Sequence, residues 1–462
     1  MVLLPMQPAV PAEPDLLGWN SRLHWQQQHP DPFASPAAAQ ALLGWLAGPA
    51  AGLTEAEWAW LAAQAQAPLA EALAVPGLTV IGHLCYPSGL RTSTLSVVQG
   101  LREVGYEVAL RNVPVDTDHD LPQHAAFAGF ELHDTTLLHI QPEPFFGQAF
   151  AKSGLQPRRK RTHRIGYWYW ELDSVPAAWA GAVEQTDELW TATRFVGDAL
   201  RSRFDVPVFE FMPGVELPAF TRRSTAQFGI PPGQFTFLFA FHMMSIMERK
   251  NPLGLIRAFR QAFAATEPVM LILKTSFGEK HPALIAELHA AAAEAGGKIM
   301  IIDRVFTMDE TISLMDACDS YISLHRSEGL GLTMAEAMLL AKPVIGTRYS
   351  GNLDFMNDDN SLLVDHSLIE ISKPTPPYDV GTRWANPSEA HAAQLMRRVW
   401  ENRDFAAALG ARAQADLRAT LSMEAAGRRM AERLEAIRGL RASRAGNAAS
   451  SPMPRASRSR FG

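Results

Sequence analysis

Two carboxylates on either side of a glycine-bearing turn are the residues best placed to do chemistry. They lie in HRSEGLGLTMAEAMLLAKPVIGTRYSGN (325–352), where Glu328 and Glu336 flank Gly329 and Gly331. A glycine turn running into a helix offers unsatisfied backbone N–H groups and the positive end of a dipole, and so attracts phosphate. Carboxylates repel phosphate, but they accept hydrogen bonds from sugar hydroxyls, each charge-assisted bond being worth ~1.5–3 kcal/mol. A ligand with a diphosphate between two sugars would satisfy both features, and a nucleotide sugar has that form. For Glu336 a local role competes, because Thr333-x-x-Glu336 has capping-box spacing and Glu336 could bond back to the Thr333 amide. Glu328 precedes the helix and has no such local role. As a turn residue it should be replaceable with little loss of stability.

Other candidates gather around the same chemistry. Arg249 and Lys250 follow the apolar run FTFLFAF (235–241). They could neutralise a diphosphate, or be a solvated pair ahead of a helix begun by Asn251 and Pro252. Lys274 ends the run VMLILKT and could reach the same anion, or simply snorkel to the surface. Gly89, in YPSGLRTSTL (86–95), marks a glycine turn entering a helix. His139 and Gln141 end one strand-like run, and Trp170 and Glu171 end the next. An aromatic face can stack on a sugar ring and a carboxylate can orient a hydroxyl. A satisfied histidine and a core-packed aromatic strand are the competing accounts.

These residues must be positioned by alternating elements. LTVIGH (78–83), TTLLHIQ (135–141) and RIGYWYW (164–170) form one series of apolar runs. FTFLFAF, VMLILKT, KIMIID (298–303), SYISLH (320–325) and PVIGT (343–347) form a second. Helical patterns fit between them at 93–104, 176–186, 252–264, 282–295, 308–317 and 333–341. Continuous apolar runs are what strands buried on both faces of a parallel sheet look like. The pattern predicts two doubly wound α/β domains facing across a cleft, with ligands at the carboxyl ends of the strands.

The boundaries read as a partly disordered and helical extension over 1–77, a first domain over 78–213 and a second over 214–388. Helices over 389–440 return to the first domain, and a disordered basic tail occupies 441–462. Ser35-Pro36 and Thr54-x-x-Glu57 supply the helix-start signals of the extension. SKPTPPYDVGTRWANPS (372–388) reads as a long irregular loop of the kind that often serves as a lid. The basic run PRRKRTHR (157–164) and the tail, with five arginines and no acid, read as solvated segments. Weak attraction to anionic lipid head groups is the second reading of both, and a polyanionic acceptor is a further one for the run 157–164.

A length of 462 residues implies more than one core, and a net charge of −6 argues against general nucleic-acid binding. Cys85 and Cys318 have neither metal-ligand nor disulfide spacing. No apolar run approaches the roughly 20 residues needed to span a bilayer. The N-terminal MVLLPMQPAVPAEPD lacks a basic start and is broken by prolines, so a cytoplasmic location is expected.

The segment from Glu328 to Glu336, followed by AMLLAKPVIGTRYSGN, resembles the E-x7-E signature of retaining GT-B glycosyltransferases, the glycosyltransferase group 1 or family 4 set. IGYWYWELDSVPAAW, DELWTATRFVGDAL and ERKNPLGLIRAF also resemble that family, and the likeness runs from about 78 to 430. It implies a GT-B fold of two Rossmann-like domains with an N-terminal helical extension. It also implies transfer of a sugar from a nucleoside diphosphate donor to an acceptor hydroxyl, with retention, no cofactor and no metal.

By this resemblance Glu328 would hold the donor sugar, Glu336 the ribose, and the amides of Gly329, Leu330, Gly331, Leu332 and Thr333 the diphosphate. Arg249 and Lys250 would stabilise the leaving group, and Arg304 and Val305 would seat the base through backbone groups. Where many relatives have a further arginine or acid, this chain has Met243 and Met244; where the first-domain loop usually has a second glycine, it has Arg91. The implied partners are a nucleotide sugar and a glycan, lipid-linked or other hydroxyl acceptor, in bacterial surface polysaccharide or glycoconjugate synthesis. An epimerase of the same fold and a non-catalytic partner that binds nucleotide sugars or glycans are the alternatives.

Overall fold

In the computed structural model, residues 77–86, 88–113, 115, 133, 135–142 and 163–450 are described, side chains to 440, with four helical positions at Ala37, Ala41, Gly44 and Trp45. The capping signals expected before residue 77, most of the basic run 157–164 and the tail from 451 lie outside them.

Two parallel sheets organise the chain. The first is built from β1 (Gly77–Gly82), β2 (Glu107–Asn112), β3 (Thr135–His139), β4 (His163–Tyr167), β5 (Glu188–Thr191) and β6 (Val208–Glu210). Its strand order is β2-β1-β3-β4-β5-β6, with every pairing parallel. Helix α1 (Gly89–Glu103) follows β1 and α2 (Arg194–Arg201) follows β5. Leu78, Val80 and Ile81 are fully buried, as a strand covered on both faces requires.

The second sheet has the order β12-β11-β10-β7-β8-β9, again parallel. Its strands are β7 (Phe235–Ala240), β8 (Val269–Thr275), β9 (Ile299–Asp303), β10 (Ser320–Ser323), β11 (Val344–Thr347) and β12 (Leu362–Val364). A one-turn α3 (Met247–Lys250), then α4 (Pro252–Ala262), α5 (Pro282–Ala293), α6 (Met308–Ala317) and α7 (Leu332–Leu339) make the crossovers. Asn251, in the left-handed region, caps α4 through Gly254 N–H at 3.3 Å, and Pro252 occupies the first turn. The strand order reverses between β7 and β10, which is where an open α/β sheet forms its crevice.

Three elements depart from the expected layout. The stretch 372–388 is not wholly irregular: β13 (His366–Glu370) and β14 (Arg383–Pro387) form an antiparallel hairpin. Its Ile371, Tyr378 and Trp384 are buried with Trp168, Trp170 and Trp179 of the first sheet's unit, so the segment is a packed strap and not a free lid.

Helices α8 (Glu389–Glu401) and α9 (Arg403–Thr420) do not return to the first unit. Met396, Val399, Ala413 and Leu417 complete the core of the second. Helix α10 (Met423–Ser450) does return, placing Ala426, Met430, Leu434 and Ile437 in the core beside Leu78, Val97 and Leu101. It continues past residue 440, where an irregular tail was expected. The two crossings between units touch at Val215 N–H, which donates to Leu421 C=O at 2.8 Å.

Candidate functional site

The turn after β10 brings the two units together. Thr193 Oγ1 of the first unit donates to the Gly329 carbonyl at 2.9 Å, and Ser327 Oγ donates to the Glu171 carbonyl. Gly329 must be glycine for this approach, because a Cβ there would lie 2.7 Å from the Trp170 carbonyl oxygen. Gly331 has a φ of 89° and serves as N-cap of α7, a conformation that a side chain rarely tolerates.

The expected capping box between Thr333 and Glu336 does not form. With Gly331 taking the cap position, Thr333 is already inside the helix, and its hydroxyl accepts from Tyr321 OH at 2.8 Å. Glu336 is 8% exposed and its carboxylate has no hydrogen-bond partner among the described residues. Burial alone pushes its pKa up to about 7. It opens onto a cavity of about 360 Å³ between the units, shared with Leu95 of α1, Pro218 and Met308 of α6. The local role is thereby removed and Glu336 is left available to a ligand.

Glu328 has the opposite environment. Its Oε2 is 3.1 Å from Arg249 Nη1, and Lys250 Nζ donates to Oε1. Burial would raise the carboxyl pKa, but the two cations outweigh it and hold Glu328 down at about 2. Arg249 is 6% exposed and also donates from Nη1 to the Ser327 carbonyl at 2.8 Å. Burial disfavours its charge, but Glu328 and Glu171 overcome this and keep it firmly protonated. A backbone bond from Arg326 N–H to Arg249 C=O, 2.7 Å, fastens α3 to the same turn. Arg249, buried, and Lys250 and Glu328, half-buried, thus form an ionic cluster at the carboxyl end of the second sheet.

The remaining candidates separate. Glu171 reaches the cluster: its Oε1 is 3.8 Å from Arg249 Nη2, and its Oε2 accepts from Tyr378 OH at 3.1 Å. Trp170 is packed edge-to-face against Trp179 and Tyr378 and donates its indole N–H to the Ser174 carbonyl. Trp170, Glu171, Gln141, Arg249 and Tyr378 line a second cavity of about 270 Å³. The Gln141 amide grips the Tyr169 backbone, donating to its carbonyl at 2.9 Å and accepting from its N–H at 3.3 Å.

His139 does not face the cleft. It is enclosed in the core, stacked on Tyr167 at 4.7 Å, with Nε2 3.0 Å from Ser93 Oγ. Burial drives its pKa down to about 3, so the ring is neutral. Lys274 is also spent internally, since Nζ donates to the carbonyls of Thr275 and Arg304, both at 2.6 Å, and lies over the Phe306 ring. It shapes the loop that carries Arg304 and Val305 instead of presenting a free ammonium. Those two are exposed, Val305 at 62%, and Arg304 pairs with Glu310 at 3.2 Å. Gly89 opens α1 with nothing within 4 Å of where a Cβ would stand, the Ser88 hydroxyl capping Arg91 N–H. Met243 is buried, whereas Met244 is 56% exposed at the second cavity.

Tyr378 and Ser350 are residues that motif spacing does not reveal. Ser350 Oγ accepts from Glu328 N–H at 2.8 Å and holds the turn. Tyr378 gives only a faint signal, as an aromatic residue directly after the prolines of a loop-like stretch.

Comparison with known proteins fits this architecture. Residues 223–372, the core of the second unit with Arg249, Lys250, Glu328 and Glu336, match the family model of glycosyl transferases group 1. The D-inositol 3-phosphate glycosyltransferase of Arthrobacter sp. (strain FB24) is 30% identical over 164 residues, 33% of this chain and 37% of that protein. The chain therefore spans little more than a third of that curated relative's length. A glycosyltransferase from Rickettsia africae ESF-5 superposes with a TM-score of 0.57 at 14% identity, covering 79% of this chain and 98% of the other. Sucrose-phosphate synthase from Thermosynechococcus elongatus gives 0.56 at 14% identity, over 80% and 100%. The Anabaena protein HepE gives 0.54 at 14% identity, over 78% and 100%. The fold is GT-B: two Rossmann-like units facing across a cleft.

Proposed function

We propose that the protein is a glycosyltransferase that moves a sugar from a nucleoside diphosphate donor to an acceptor hydroxyl. The observation that carries this reading is the Arg249–Glu328–Lys250 cluster, set beside the open N-terminus of α7. On binding, the diphosphate takes the cations and the α7 amides, which frees Glu328 to accept from hydroxyls of the donor sugar. Glu336 and its cavity take the ribose, and the exposed loop at Arg304 and Val305 seats the base. HepE has been crystallised with UDP and glucose and with UDP-glucose, which supports a donor of this type.

Retention is the proposed stereochemistry. Glu328, held at about 2 by two cations, is a weak base and a poor nucleophile, which suits sugar positioning better than covalent attack. The leaving diphosphate would take the acceptor's proton, with no resident metal or cofactor. The acceptor is a glycan or lipid-linked glycan, placing the enzyme in bacterial surface polysaccharide or glycoconjugate synthesis. No helix among the described residues is long and apolar enough to cross a membrane. The reading places the protein in the cytoplasm, with the arginine-bearing tail giving weak contact with anionic lipid at the inner membrane face.

The test is calorimetric titration with UDP, GDP and ADP, followed by incubation of the corresponding nucleotide sugars with and without glycan acceptors. One diphosphate should bind, Lys250→Ala should weaken it roughly tenfold or more, and product should require acceptor. Isomerised donor without acceptor would establish an epimerase instead. An axial–equatorial change at the anomeric carbon, read by NMR coupling constants, would exclude retention.

A further inference from the structure

We infer that Ser350 is a positioning residue for Glu328, held in a backbone conformation that suits glycine so that its hydroxyl can fix the main chain of the turn. Its part in transfer rests on the reading above, whereas the fixing of the turn stands on its own geometry.

Ser350 leads from the loop after β11 into the short 3-10 turn Gly351–Asp354, with φ 77° and ψ −153°. Asn251 and Phe277 also have positive φ, but their ψ values of 44° and 29° lie in the left-handed helical region. The ψ of Ser350 lies outside that region, where glycine stands almost alone. Strain of this kind persists only where the surroundings over-determine it, and it gathers at functional sites.

The hydroxyl shows what a glycine here would lose. Ser350 Oγ accepts from Glu328 N–H at 2.8 Å and donates to the Tyr349 carbonyl. Gly351 N–H completes the grip by donating to the Glu328 carbonyl at 2.9 Å. A Cβ on Gly351 would stand 2.3 Å from the Gly329 oxygen, so the two stretches of main chain are in direct contact. Asn352 Oδ1 lies 3.1 Å from His325 Nε2, at the start of the same turn. Ser350, Gly351 and Asn352 therefore hold the turn at both His325 and Glu328.

Glu328 thus has two sets of ties. Arg249 and Lys250 hold its carboxylate, while Ser350 and Gly351 hold its main chain. In the proposed reaction the diphosphate takes the two cations, so the first set is surrendered as the donor enters. The second set involves neither cation and keeps the carboxylate aimed at the sugar. Loss of the Ser350 hydroxyl should therefore be felt at the sugar and not at the diphosphate.

The experiment compares the wild type with Ser350→Ala and Ser350→Gly. Both variants lack the hydroxyl, and only the second relieves the strain. Hydrogen exchange read by mass spectrometry should quicken at the Glu328 amide, in a peptide spanning 326–331, in both. Ser350→Gly should melt several degrees above Ser350→Ala, the reverse of the order at an unstrained position. Calorimetry with UDP, GDP and ADP should give wild-type affinities in both variants. Turnover with the matching nucleotide sugar should fall roughly five- to tenfold in both alike. Unchanged exchange or undiminished turnover in Ser350→Ala overturns the positioning role, as does a loss of diphosphate affinity that matches the loss of turnover. Ser350→Gly melting below Ser350→Ala overturns the strain. A wild type that binds no diphosphate and transfers no sugar would instead overturn the transferase reading, and exchange and melting would still decide whether Ser350 fixes the turn.

Discussion

Arg249 Nη1 and Glu328 Oε2 lie 3.1 Å apart with little access to water, although the two residues belong to different crossovers of the second sheet. Their pairing makes the turn at Glu328 a stability element as well as a ligand site. Position in a turn alone implied that Glu328 could be replaced with little loss of stability. The ionic cluster reverses that.

Glu328→Gln should therefore lower stability as well as turnover. Neutralising the carboxylate leaves Arg249 and Lys250 facing each other with the more distant Glu171, 3.8 Å from Arg249 Nη2, as remaining counter-charge, and breaking a buried pair costs about 3–5 kcal/mol. Differential scanning calorimetry should show a melting temperature lower by several degrees, with partial recovery in Glu328→Gln/Lys250→Met. An unchanged melting temperature would mean that the cations are well solvated. The same cluster has an acid limit. Because the folded pKa of Glu328 is depressed to about 2 from an ordinary 4.5, its stabilisation is present above pH 4.5 and lost as pH falls towards 2.

Glu336 should show the opposite linkage. Its folded pKa is raised to about 7 from 4.5, so its contribution is fully present below pH 4.5 and is lost as pH rises through 7. At ~1.36 kcal/mol per pKa unit, the wild type gives up roughly 3 kcal/mol over that window. Glu336→Gln should match the wild type near pH 5 and melt higher at pH 8. Equal melting at pH 8 would show that the ionised carboxylate finds a partner or water.

Gly329→Ala should disturb the contact between the units. The new methyl would press on the Trp170 carbonyl, which is backbone and cannot swing aside. A cost of about 1–3 kcal/mol is expected for such overpacking, together with a weaker Thr193–Gly329 bond. Small-angle scattering should record a more open particle, and transfer should fall further than diphosphate affinity. Unchanged scattering and activity would show that the interface gives way easily.

The sheets were legible because their strands are continuous apolar runs. Phe235–Ala240 and Val269–Thr275 appear almost as read, and α6 starts and stops at Met308 and Ala317 as expected. Strand β2, EVALRN, begins and ends on polar residues and gave no such signal. Capping spacing was a poor guide: Thr307-x-x-Glu310 forms a true box, whereas at Thr333-x-x-Glu336 a left-handed Gly331 takes the cap instead. Arg249, Lys250 and Glu328 were singled out by residue type and place along the chain, but their pairing with one another was not read. What could not be read was direction. His139 and Lys274 end strands at the right edge, yet point into the core and onto backbone carbonyls. The strap was hidden because prolines near Tyr378 look like loop, and its burial depends on tryptophans distant in sequence.

The return of α10 to the first unit has a consequence for synthesis. Ala426, Met430, Leu434 and Ile437 fill a groove against α1 and the first sheet, so this part of that unit's core is not finished until α10 has been made. Domains made in order along a chain generally fold in that order. Here the first unit emerges first and closes last. Until α10 emerges, the side of the core around Leu78, Val97 and Leu101 that it completes stays open.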